Sequence, residues 1–165
     1  MALYLNAIKL ELENNIEILE QAIEDLKPSV KYSNYLRSLD AKSLNNDSIN
    51  SYRDAFSVNM YSFQTNAFEM FKNSGIMRLI NDKEFLQSLW DMYEGIIGIR
   101  TISDWYFQEK WSALKQEIPL LIDEQKPKIT PMYYFHISMP VLMLIHYEKI
   151  LKKSKEMVLK LENEN

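Results

Sequence analysis

Residues 3–26 carry Leu5, Ile8, Leu12, Ile16, Leu19, Ile23 and Leu26, each three or four positions after the last. An α-helix, with 3.6 residues per turn, gathers such positions into one apolar stripe, which a strand cannot do. Leu5, Leu12, Leu19 and Leu26 also recur every seven residues, which favours shallow-angle packing on another helix. Glu11, Glu13, Glu17, Glu20 and Glu24 read as the solvent face of this helix. Pro28 is expected to end it, because the residue before a proline is pushed out of the α region.

The same period runs through the rest of the chain. Val30, Tyr35, Leu36 and Leu39 read as a short helix over 29–41. Residues 43–48 read as a loop by composition, with Asp47 or Ser48 capping a helix whose apolar positions are Ile49, Tyr52, Phe56, Met60 and Phe63. Asn66 to Glu69 has the capping-box form and opens a short helix that stops at Gly75, where a left-handed residue is expected. Asn81 to Glu84 is a second capping box, opening a long segment over 82–122. One face there carries Phe85, Leu89, Met92, Ile96 and Ile99, and a second carries Leu86, Trp90, Tyr93 and Ile97. Two apolar faces predict a central helix packed on both sides. Gly95 and Gly98 predict a close helix contact and Pro119 a kink. Residues 123–138 read as a connector, with Ser138 capping a last helix and Pro140 in its first turn. Leu144, Tyr147, Leu151, Val158 and Leu161 give that helix its stripe, and residues 162–165 are expected to fray. The expected fold is all-α: one domain over 1–165, an antiparallel bundle with long first, central and last helices and short ones between.

Composition narrows the chemistry. With no Cys there is no disulfide, thiolate metal site or cysteine nucleophile. Three Gly cannot build phosphate-cradling loops, and neither Gly-x-Gly-x-x-Gly nor Gly-Lys-Ser/Thr occurs. Gly-x-Ser-x-Gly is also absent. The two histidines, His136 and His146, have Tyr133 and Met143 three residues earlier, so the Glu-x-x-His pair of a di-iron bundle is missing. No metal, no cofactor and no catalysis are expected. The net charge of −4 provides no basic footprint for nucleic acid. Lys149, Lys152, Lys153, Lys155 and Lys160 interleave with Glu148 and Glu156, which reads first as a solvated face and second as an anionic contact.

Five residues stand out as ligand or partner candidates. Arg100 lies in the apolar stretch 95–102, where it reads either as an anion ligand in a pocket or as a structural partner of Asp104 or of a Glu on a neighbouring helix. Trp105 belongs to a set of aromatic residues that, with nine Met, could line an adaptable apolar pocket or simply fill a core. Tyr133, Tyr134 and Phe135 fall in the expected connector, where exposed rings would mark a partner surface.

Two stretches carry a family likeness. Residues 3–13, LYLNAIKLELE, resemble the Tyr-Leu…Leu…Glu-Leu opening of a family of uncharacterised, membrane-anchored bacterial proteins. Residues 68–81, FEMFKNSGIMRLIN, resemble that family's central segment: an aromatic residue, a short helix, Ser-Gly, and an apolar turn ending in Leu-Ile and Asn. Members carry a transmembrane helix just upstream of the first stretch. The resemblance implies a trimmed soluble portion or an unanchored relative, with membrane contact only through that upstream anchor. It also implies the bacterial cell envelope, on the soluble side of the membrane. It brings no activity, and its shared residues are turn and cap residues.

The expected function is a non-catalytic helical interaction or sensor domain that meets a protein partner or itself through helices. The alternative is a small-molecule or lipid-binding module with an aromatic and Met-rich interior. A closed, filled bundle with an exposed apolar groove favours the first, and an internal cavity with Arg100 pointing inward favours the second. Because no cysteine or histidine cluster couples metal to folding, chelator treatment is expected to leave the melting temperature unchanged. A drop of several degrees would reveal a carboxylate-built metal site.

Overall fold

The computed structural model describes residues 1–38, 60–115 and 131–163. Among these the fold is all-α, with no strand. Helix α1 spans Ala2–Ser38, α2 Asn66–Asn73, α3 Lys83–Lys115 and α4 Pro131–Asn163, with a 3-10 turn at Ile76–Leu79. Contacts group the chain into two compact units. One comprises Met1–Ala22, Tyr61–Thr101 and Tyr147–Asn165, the other Ile23–Met60 and Ile102–His146.

In the first unit, α1 buries Leu5, Ile8, Leu12 and Leu19, while Ile16 is only half-buried. Against α1 pack α2 and α3. Helix α4 runs antiparallel to α1: Lys9 pairs with Glu162 at 2.9 Å and Glu20 with Lys155 at 2.6 Å. The inward line of α4 is Tyr147, Ile150, Ser154, Met157 and Leu161. Leu151 and Val158, two positions expected in that stripe, are half-buried beside it. Helix α3 buries Phe85, Leu89, Met92, Ile96 and Ile99, the face its period predicts. The second predicted face divides. Tyr93 is buried, Leu86 is half-buried, and Trp90 and Ile97 stand in solvent, so α3 is not packed equally on two sides.

In the second unit, α1 continues with buried Ile23, Leu26, Ser29 and Ser33, and α4 buries Met139 and Met143. The rings of Tyr32 and Tyr35 meet edge-on at 5.8 Å. Leu142 and Ile145 face solvent.

Two of the three proline expectations fail, and for related reasons. Pro28 lies inside α1 instead of ending it, so 29–38 is not a separate helix. Pro28 and Glu24, whose carbonyl loses its donor, are both exposed, so water can replace the missing bond. The buried run through Leu26, Ser29 and Ser33 holds the helix together across the break. Pro140 lies ten residues into α4. The helix starts instead at Pro131, where the absent N–H would have had no partner anyway. Ser138 is therefore a helix-interior residue and not a cap. Met139 and Met143, buried on either side of Pro140, offset its cost of about 3 kcal/mol.

Residues 60–65 are not helical, so Met60 and Phe63 do not extend a helix from Ile49. Met60 is exposed and Phe63 is buried edge-on against Tyr147 at 6.2 Å. Leu39, the loop 43–48 with Asp47 and Ser48, Ile49, Tyr52, Phe56, Pro119 and residues 164–165 lie outside the described residues, as does the side chain of Leu36. Asp82, one residue into the second predicted capping box, caps α3: Phe85 N–H donates to its Oδ1 at 2.9 Å.

The glycines separate into three cases. Gly75 has φ +74°, as its place after α2 predicts, and Ser74 Oγ donates to Phe71 O at 2.7 Å beside it. A Cβ on Gly95 would overlap Ile150 Cδ1, which makes Gly95 the close contact between α3 and α4. Gly98 has nothing within 4 Å of that position and is no contact. Gly98→Ala should therefore raise stability by about 1 kcal/mol through helix propensity. Gly75→Ala should lower it, because a left-handed cost of about 1–2 kcal/mol exceeds the unfolded-state gain. Gly95→Ala should fall below Gly98→Ala, because Ile150 must move. Denaturant midpoints at unchanged slope check all three. A raised midpoint for Gly75→Ala would refute the turn.

Candidate functional site

Among the described residues, the most chemically distinctive place is a buried carboxylate in the first unit. Glu11 on α1 is 5% exposed, although its acidic neighbours on that helix suggested a solvent position. Its Oε2 accepts the Ala67 N–H at 2.7 Å and its Oε1 accepts the Phe68 N–H at 3.3 Å. These are the second and third residues of α2, whose N–H groups no turn of that helix can satisfy. Thr65, in the cap position, makes no side-chain cap bond. Glu11 supplies the cap from another helix, and its negative charge suits the positive end of α2. The capping box expected at Asn66 and Glu69 is thus replaced. Glu69 pairs with Lys72 at 2.9 Å instead.

One turn further along α1, Asn15 is fully buried and completes the attachment. Its Oδ1 accepts the Gln64 N–H and its Nδ2 donates to Gln64 O, both at 2.8 Å. Two side chains of α1 thereby serve four backbone groups of residues 64–68. A third donor reaches Glu11 from α3, where Tyr93 O–H donates to Oε1 at 2.7 Å. Burial pushes the Tyr93 phenol pKa well above its usual value, and the bond to Glu11 and the nearby negative charge push the same way.

Aromatic rings close over this network. Phe68 stacks flat on Tyr93 at 4.1 Å and meets the edge of Trp90 at 5.7 Å. Lys72 Nζ stands 5.0 Å from the Trp90 ring and 5.4 Å from Phe68. Trp90, 37% exposed, is the rim of the cluster. With three donors on a carboxylate of about four acceptor positions, and rings above it, Glu11 is arranged to hold chain segments together and not to take a proton from a substrate.

An open groove of about 160 Å³ lies between Ser88 and Asp91 of α3 and Lys153, Glu156, Met157 and Lys160 of α4. Its two lysines and two carboxylates balance, so it favours neither sign of ligand. Among the described residues, no group of three or more His, Asp or Glu is placed to hold a metal ion.

Of the five residues singled out in the sequence, the side chains of Arg100 and Trp105 are described. Arg100 is exposed on α3 and engaged with a partner. Trp105, in the second unit, is also exposed. Tyr133, Tyr134 and Phe135 belong to the start of α4 and not to a connecting loop. Their side chains lie outside the described residues. Glu11 and Asn15 were missed. The available signal was their spacing: Ile8, Glu11 and Asn15 step by three and four, which places both polar residues beside the buried stripe.

Glu11→Ala should strand two backbone N–H groups and the Tyr93 hydroxyl, lowering stability by about 2–5 kcal/mol. Glu11→Gln should cost less, and Tyr93→Phe least. A loss below about 0.5 kcal/mol for Glu11→Ala in a denaturant melt would mean the cap does not form. Tyr93 also sets an alkaline signature. Its folded pKa is raised, so above pH about 10 the unfolded chain loses a proton that the folded chain keeps. Stability should fall from there upward, by up to about 1.4 kcal/mol per pH unit for this group, and Tyr93→Phe should flatten the slope. An unchanged slope would remove Tyr93 as the cause.

Compared with known proteins, the chain matches no family model, no curated protein and no solved structure.

Proposed function

We propose that this chain is a non-catalytic helical interaction or sensor domain, part of a membrane-anchored bacterial protein, that binds a protein partner or itself through its helices. The observation that carries this reading is the outward face of α1. Leu3 is 79% exposed and Leu10 63%, two turns apart on one ridge with Ala7 between them. These leucines gain nothing for folding by standing in water on a helix that already buries an apolar stripe. An exposed pair on one ridge is suited to contact with another helix.

The membrane-anchored family enters through the two resembling stretches, residues 3–13 and 68–81. Glu11 in the first stretch accepts the N–H of Phe68 in the second. The residues carrying the likeness thus include some of those that cap α2. The alternative, a small-molecule or lipid module, calls for an inward Arg100, and Arg100 is exposed. The large aromatic side chains Phe68, Phe71, Tyr93 and Tyr147 are fully buried as packing.

A thermal-shift series with long-chain fatty acids, phospholipids and aromatic anions tests the choice. The interaction reading expects no change in melting temperature. A ligand at 100-fold its Kd that stabilises the fold by about 2.7 kcal/mol would overturn it in favour of the binding module.

A further inference from the structure

We draw no further inference here: the strongest candidate, the open groove between Ser88 and Asp91 of α3 and Lys153, Glu156, Met157 and Lys160 of α4, carries nothing because its lysines and carboxylates balance in charge and nothing in the structure shows what occupies it.

Discussion

A carboxylate taken out of water must be compensated by donors, and in this molecule the compensation determines the local architecture. Glu11 sits on the buried side of α1 and is met by two N–H groups from the start of α2 and one hydroxyl from α3. The donors come from two other segments, so the charge is satisfied only when α1, α2 and α3 assemble together. An eight-residue helix such as α2 is marginal by itself. Its first turn exists here because α1 supplies the acceptor that Thr65 does not. The aromatic stack then follows: Tyr93 is held by its hydroxyl, Phe68 lies flat on it, and Trp90 and Lys72 form the rim.

The long helices obey a second rule, in which burial outweighs local propensity. Pro28 and Pro140 each remove a donor, and Gly95 weakens α3, yet none of them ends a helix. At Pro28 the lost bond faces water. At Gly95 the missing side chain is what allows Ile150 of α4 to come close. The chain ends a helix where local geometry leaves no alternative, as at Gly75 with its positive φ.

The same division separates the two faces of α1 and α4. Their inward lines are apolar and fill the core, while their outward lines are mixed, with leucines near one end and opposite charge excesses along the rest. Such faces contribute little to folding of one chain.

The sequence alone determined the all-α class, the inward stripe of α1, the inward face of α3 and the left-handed Gly75. Each of these depends on spacing along one helix or on the steric limits of one residue, and both are local. Only the tertiary structure decided that Glu11 is buried, that α2 is capped from α1, and that two prolines lie within helices. It also decided that Arg100 faces outward and that Gly95, not Gly98, is the close contact. The physical reason is that a polar or helix-breaking residue is tolerated according to what stands opposite it. Glu11 and Glu13 differ by two positions in the same acidic stretch, and only the arrival of Ala67, Phe68 and Tyr93 makes one of them part of the core.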